Sequence, residues 1–512
     1  MSENTTTAKA RWGVLHQSRS QVLERARQAS DITIPSILPA EGHTENSTLA
    51  SPYQSLGARG VNNLASKMLL ALFPATTAFF RLRMSDDIEA QLGEEKENIE
   101  EALRVLENRA LLFMEQSNLR VMIHSAIKHM IVTGNGLIYM PKSGMNRMFR
   151  LNQYCVVRDP SGTWTELLIK ETAHRETLPD NVREACQLSD AHIKDKNEQE
   201  HCDIYTWVKL KDGKHEWYQE INEIRVPGSD GRAVTTESPF VVLRWSAVEN
   251  EDYGRGLVEE YIGDLRTLEG LNKAITQFAA AAAKIVILLH PNSATDEDDL
   301  IDAESGDVVQ GTLEDIDVLQ LEKQADFQVA KAVADEVSIR VAHAFLLQSG
   351  TTRDAERVTA EEIREQAQEL EDVLGGVYTV QASDLQLPVV RRLLSILKEL
   401  GEYPKFPEGS VKPSIVTGFE ALGRNHELNR LRAFFSDVVS TFGEAALAEF
   451  RIQSGIKTYA TSHNVDIKDM LKSAEEKQQE QLQAQQAQLI DKAAAPVAGA
   501  VAKGAMDQSS GG

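Results

Sequence analysis

The sequence predicts an α+β fold, mainly helical, with an antiparallel sheet region enclosed between helices. Three observations lead there. Apolar residues recur at threes and fours through Val61, Leu64, Ala65, Met68, Leu69 and Leu72, and again through Val258, Ile262, Leu265, Leu268, Leu271, Ile275, Phe278 and Ala282. That is the period of a helix with one buried face. Between these two stretches run β-branched and aromatic strings punctuated by the turns DPSG and KDGK, the pattern of antiparallel strands. Beyond them, two long helical stretches bracket a short strand-like, acidic insertion.

With 512 residues the chain has room for roughly three domain-sized units. After a polar start, Ala10 to Ser30 reads as a surface helix, broken by TIPSILP at Thr33 to Pro39 and followed by a polar loop from Ala40 to Ser51. The helix through Val61 to Leu72 ends at Pro74, which has no amide hydrogen to continue it. Helical character returns from Glu94 to Val132. The strand strings follow: FRLNQYCVVRD, TWTELLIK, DIYTWVKL, HEWYQE and PFVVLRW. From Gly256 a helix of about thirty residues would extend roughly 43 Å.

The insertion then reads KIVILLHP, the acids Asp296 to Asp299, a VVQG turn and IDVLQLE. A second helix carries Ala330, Val333, Val337, Val341, Ala344 and Phe345 on one stripe between Asp326 and Leu347. QSGTTRDAER, from Gln348 to Arg357, is polar and glycine-containing between helices, and therefore a loop. Thr359 and Glu362 fit a capping box that restarts a helix, and further helices reach to about residue 475. The remaining residues are rich in Gln, Ala, Gly and Ser and too poor in bulky apolar side chains to build a core.

Composition excludes several functions. Hydrophobic and charged fractions of 42% and 26% are those of a globular protein. A net charge of −23 argues against a protein that grips nucleic acid by neutralising phosphates. Cys155, Cys186 and Cys202 cannot pair evenly and lack zinc spacing, so reduced thiols are expected. The N-terminal residues hold no apolar signal core, and the most apolar run, Ala279 to Leu289, contains Lys284 and is too short for a bilayer. Cytoplasmic assembly without a membrane partner is the expectation.

No motif for catalysis or a cofactor stands out. Gly254 and Gly256 in DYGRGLVEE open a helix after a strand, but Glu259 replaces the third glycine of a dinucleotide turn and would repel a pyrophosphate. GNG at Gly134 to Gly136 has helix before strand, the reverse order, and is a connection. SGIKT at Ser454 to Thr458 lacks the glycines of a phosphate loop. His124 and His129, and the string HCD at His201 to Asp203, lack partner ligands. Asp296 to Asp299 lack the glycine and final glutamate of a calcium loop, and no GxSxG elbow marks a nucleophile.

Five strings resemble the head-to-tail connector, or portal, family of short-tailed podoviruses of the coliphage type. They are YQSLGARGVNNLASKMLLALFP (Tyr53 to Pro74), YGRGLVEEYIGDLRTLEGLNKAI (Tyr253 to Ile275), LQLEKQADFQVAKAV (Leu319 to Val333), ERVTAEEIREQAQELEDVLGGVY (Glu356 to Tyr378) and PSIVTGFEALGR (Pro413 to Arg424). Their order and spacing agree from about residue 10 to 430, while the last eighty or so residues and the segment near 291–311 match poorly.

The resemblance implies a non-enzymatic subunit, without cofactor or metal, of a ring of about twelve copies at the capsid vertex of a virion. The ring would pass double-stranded DNA during packaging, retention and ejection. Its other partners would be a tail adaptor, the large terminase subunit, and the major capsid and scaffolding proteins. Mapped onto the elements, it implies an N-terminal helix and arm at 1–52, a wing at 53–255, a stem helix at 256–284 and a clip at 285–325. A return stem helix at 326–347 would follow, then a channel loop at 348–357, a long helix and crown connection at 358–420, a helical crown at 421–475 and a flexible tail at 476–512.

In that scheme Gln348, Ser349, Gly350, Thr351, Thr352, Arg353 and Arg357 touch the DNA backbone, and Asp296, Glu297, Asp298 and Asp299 face the adaptor and terminase. A largely acidic wall lets a polyanion slide, because it offers few phosphate contacts. Two other readings stay open from the residues alone: a scaffold or internal virion protein without a channel, and an enzyme acting on DNA ends.

Overall fold

The computed structural model describes residues 6–74, 78–84, 96–188, 200–282, 286–291, 297–303, 307–308, 310, 316–319, 324–347, 380–404, 406, 411–415, 434, 436–438, 440 and 441. They belong to two units, 1–418 and 419–512. In the second, the described residues are helical.

The first unit opens with two helices, α1 (Ala8–Ser18) and α2 (Ser20–Ile32), where the residue pattern suggested one. Arg19 makes the break. Its buried guanidinium donates to the carbonyls of Leu151, Asn152 and Tyr154 and lies 5.5 Å from the Trp12 ring and 5.7 Å from that of Tyr253. A helix running through Arg19 would have to give up those bonds. Helix α3 (Leu56–Leu72) buries Val61, Leu64, Ala65, Met68 and Leu72 as its spacing requires, and leads to β1 (Phe80–Met84).

The helical stretch read from Glu94 to Val132 is also two helices, α4 (Lys96–Gln116) and α5 (Leu119–Thr133). Helix α5 is buried along most of its length, packed against α3 and against β2 (Asn135–Tyr139). Strands β3 (Arg147–Phe149), β4 (Tyr154–Arg158) and β5 (Trp164–His174) follow, then the short α6 (Asp180–Ala185), β6 (His201–Lys211), β7 (Lys214–Ile221), β8 (Ile224–Arg225), β9 (Gly231–Val234) and β10 (Phe240–Arg244). All pair antiparallel, in a six-stranded sheet of order β4-β5-β6-β7 with β8 and β9 both on β7, and a three-stranded sheet of order β10-β2-β3.

Helices α7 (Leu257–Glu260) and α8 (Ile262–Ala282) replace the single helix expected over 256–284, the break falling at Tyr261. The insertion contributes β11 (Val286–Leu289), α9 (Glu297–Ile301) and β12 (Ile316–Leu319), with β11 antiparallel to β12. The return helix is α10 (Gln324–Ala344). Helix α11 (Leu387–Glu399) and β13 (Val411–Ile415) complete the unit, and β13 pairs with β1 across more than three hundred residues of chain.

One continuous core joins α3, α4, α5, the three-stranded sheet, α10 and α11, with Leu64, Met68, Phe73, Phe80, Met114, Trp245 and Phe345 almost fully buried. The outer face of the six-stranded sheet forms a separate cluster with α1, built on Ala8, Trp12, Cys155, Leu168, Tyr205 and Trp207. All three cysteines are free and buried, and burial raises the thiol of Cys155 to about 11. Among the described residues no helix is long and apolar enough to cross a membrane.

Candidate functional site

The expected site residues flank the α8–α10 hairpin in the chain, the acids between its helices and the loop after α10. Phe278 lies tilted against Phe327 at 5.2 Å between centroids, Arg340 bonds Asp264 at 3.0 Å, and the Tyr261 and Phe345 ring centroids are 6.3 Å apart. These pairings run in opposite chain directions, so the helices are antiparallel. Leu265 and Leu268 of α8 and Ala334, Val337 and Val341 of α10 close the seam. Val329 and Val333, which continue the row of Val337 toward the far end, are 64% and 41% exposed, and Ile339, on the opposite side of α10, is 56% exposed.

The far end of the hairpin continues into β11 and β12. There Glu297 and Asp298 are exposed and Asp299 lies within α9, while Asp296 falls outside the described residues. The near end leads to Gln348, Ser349, Gly350, Thr351, Thr352, Arg353 and Arg357, which also fall outside the described residues. Their point of departure is well defined. Leu346 adopts a left-handed φ of 55°, its amide bonds to the His343 carbonyl at 3.0 Å, and the Leu347 amide bonds to the Ala342 carbonyl at 2.8 Å. That is a Schellman ending with leucine where glycine is usual.

Helix α3 secures this ending. Asn63 donates to the carbonyls of Phe345 and Leu346, each at 3.0 Å, and the Lys67 ammonium donates to Leu346 at 3.1 Å. Gly60 sits so close that a Cβ there would meet the Phe345 ring at 2.7 Å. Sequence reasoning assigned no role to Gly60, Asn63 or Lys67. A signal existed in Gly60, since a glycine inside an otherwise good helix costs about 1 kcal/mol and calls for a packing reason.

At this same end of the hairpin, α7 and α8 follow a joint made by two glycine motifs that the residue pattern reads as a connection and as a helix start. Gly134, at φ 76°, ends α5, and its carbonyl accepts from the Trp245 amide at 2.9 Å. Asn135 accepts from the Gly254 amide at 2.8 Å and donates to the Gly254 carbonyl at 3.1 Å. Beside this knot Arg255 forks between Glu251 at 2.7 Å and Glu259 at 2.6 Å, holding its charge on the surface. Glu259, the acid at the third position of the glycine string, is therefore an ion-pair partner. Glu269 of α8 accepts the amides of Tyr53 and Gln54 ahead of α3, at 2.8 and 3.2 Å. The hairpin is thus tied to its surroundings through both of its helices, on the side of its near end.

The histidines flagged by the sequence have other surroundings. His129 is buried in α5, where desolvation, with Arg150 and Lys128 nearby, lowers its pKa to about 3. His124 Nε2 lies 3.3 Å from Ser66 Oγ. His201 meets His174 edge to face at 5.4 Å. Among the described residues no three His, Cys, Asp or Glu side chains converge as metal ligands.

A family model described as bacteriophage head to tail connecting protein matches residues 5–471. The portal protein of Enterobacteria phage T3 is 39% identical over 438 residues, covering 84% of this chain and 81% of its own. The portal protein of Escherichia phage T7 is 37% identical over 507 residues, covering 96% and 93%. A solved neck of a native gene transfer agent particle is 11% identical, with a TM-score of 0.35 over 74% of this chain and 85% of that one, too remote to bear on the fold.

Proposed function

Because the chain belongs to the bacteriophage head-to-tail connecting family, we propose that it is the portal of a short-tailed phage, a ring of about twelve copies at one capsid vertex through which the genome enters and leaves. The likeness to the T7 portal over 96% of the chain carries this reading. The scaffold alternative lacks comparable support. The portal requires no catalysis of its own, since the packaging motor is a separate terminase.

In the proposed ring the α8–α10 hairpin is the stem, and Val329, Val333 and Ile339, left to water by the single chain, would be covered by the neighbouring copy. The β11–α9–β12 segment is the clip. Its acids Asp296, Glu297, Asp298 and Asp299 would steer a basic face of the tail adaptor or the docked terminase. The sheets and α3–α5 are the wing, which would face capsid and scaffolding proteins.

Gln348 to Arg357 is the proposed channel loop. Ser349, Thr351 and Thr352 offer neutral bonds to phosphate, Gly350 lets the backbone adapt, and Arg353 and Arg357 are offset by Asp354 and Glu356, so contacts form and break as DNA slides. The Schellman ending clamped by Asn63 and Lys67 supports this role by giving the loop a fixed base. Replacing Ser349–Asp354 with a short glycine linker tests the assignment. The variant should still form closed rings in electron micrographs while its heads retain less DNA than the parent's. Open or polydisperse particles from the parent would overturn the portal reading, and full DNA retention by the variant would overturn the loop.

A further inference from the structure

We infer that the open half of the outer face of the six-stranded sheet is a docking site for an acidic polypeptide segment of a partner protein. The alternation of β strands places Trp207, Lys209 and Lys211 of β6 on this face, opposite Tyr218, Glu216 and Lys214 of β7, with Arg232 of β9 across from Glu216 and Arg225 of β8 across from Glu220. All of these except Lys214 and Glu220, together with Asp230 and the edge of Trp217, border a cleft of about 660 Å³. Strand β9 can lie there because Gly231 has no side chain: a Cβ at that position would meet the Trp217 indole at 2.1 Å.

The floor is aromatic and the rim cationic. The Lys209 ammonium sits 3.6 Å from the Trp207 ring centre and the Arg225 guanidinium 4.3 Å from that of Tyr218, so both cations are held in place by cation–π attraction. Arg232 is matched by Glu216 at 3.2 Å and Arg225 by Asp230. Among the described residues, Lys209, Lys211 and Lys214 have no ion-pair partner. Lys211 and Lys214 stand directly opposite each other, an arrangement that repels until an anion arrives. In a chain of net charge −23 such a cluster is an exception.

The covered half of the same face shows what kind of occupant fits. There α1 lies on the sheet with Trp12 against Tyr205, and its donors meet the acids beneath it, the Ala8 amide donating to Glu220 at 2.9 Å and the Arg11 guanidinium pairing with Glu166 at 2.6 Å. In the open half the sheet is cationic, so the matching segment brings carboxylates and apolar side chains. Duplex DNA fits less well: Glu216 and Asp230 would face its phosphates, and about three unmatched lysines release too few counterions to hold it at physiological salt.

The test uses the full-length protein and a labelled peptide of alternating glutamate and leucine, read by fluorescence anisotropy at low salt. The parent should bind it. Lys209→Glu with Lys211→Glu should weaken binding by about tenfold, whereas Lys273→Glu with Lys331→Glu, the same change of charge on exposed lysines of α8 and α10, should not. A parent that ignores the peptide, equal binding of its glutamine counterpart, unchanged affinity in the patch variant, or preferred binding of duplex DNA through the same lysines would each overturn the inference. Ring formation and DNA retention are measured separately, so the portal reading stands or falls without it.

Discussion

Replacing Gly134 with alanine attacks the joint from which the proposed stem springs. A residue other than glycine at its φ of 76° costs about 1–2 kcal/mol. The new Cβ would also meet the Gly254 carbonyl oxygen at 2.5 Å and the backbone of Arg255 and Gly256 at 2.6 Å, contacts that no side-chain rotation relieves. Overpacking of this kind costs about 1–3 kcal/mol. Moving the two backbones apart strains the Trp245–Gly134 and Asn135–Gly254 hydrogen bonds as well, each contributing about 1 kcal/mol.

The expected loss is therefore on the order of 4 kcal/mol, a large fraction of the stability of a typical domain. Gly136→Ala is the internal control, since its Cβ would meet nothing nearer than Met130 Cγ at 3.6 Å, and a change within about 0.5 kcal/mol is expected. Urea unfolding of the two variants and the parent, at one protein concentration, makes the comparison. If Gly134→Ala unfolds at the midpoint of Gly136→Ala, the joint yields more easily than its geometry implies and the reasoning fails.

Converting Asp296, Glu297, Asp298 and Asp299 together to Asn or Gln should slow association with the tail adaptor, most of all at low salt; stopped-flow rates unchanged in size and salt dependence would make the four acids bystanders. Acid should destabilise the fold through His129 and His215, which burial holds at about 3 and about 4 against 6.5 in the unfolded chain. The unfolded state then binds the extra protons, so the stability is present in full above pH 6.5 and falls by about 1.4 kcal/mol per pH unit per histidine as pH drops toward the folded values. His129→Gln should flatten that slope, and an identical pH profile would refute its part.

Much of the secondary structure was legible because it is a local property. The spacing through Val61 to Leu72 marks the buried stripe of α3, that through Val258 to Ala282 a stripe of α7–α8 buried at Val258, Leu265 and Leu268, half-buried to Phe278 and exposed at Ala282, and the strings around DPSG and KDGK became β4 to β7. Strands β1 and β13 were missed because each is short and depends on a partner far along the chain. Pro413 reads as a breaker, yet it is tolerated in a two-stranded pair, where each strand has an unpaired edge. The breaks at Arg19 and Tyr261 were equally invisible. Arg19 follows from carbonyls more than a hundred residues away, a contact no window of sequence contains.

Composition and motif order by themselves determined what the chemistry excludes, the acidic character and, through five strings, the family. Those are properties of residue types and their succession. Tertiary structure alone decided that GNG and GRG interlock into one joint, that Asn63 and Lys67 clamp the end of α10, and that dispersed lysines and aromatics of β6 to β9 converge on one face of a sheet. Each of these joins residues through space whose spacing along the chain carries no period, and only burial of the shared core brings them within a few ångströms.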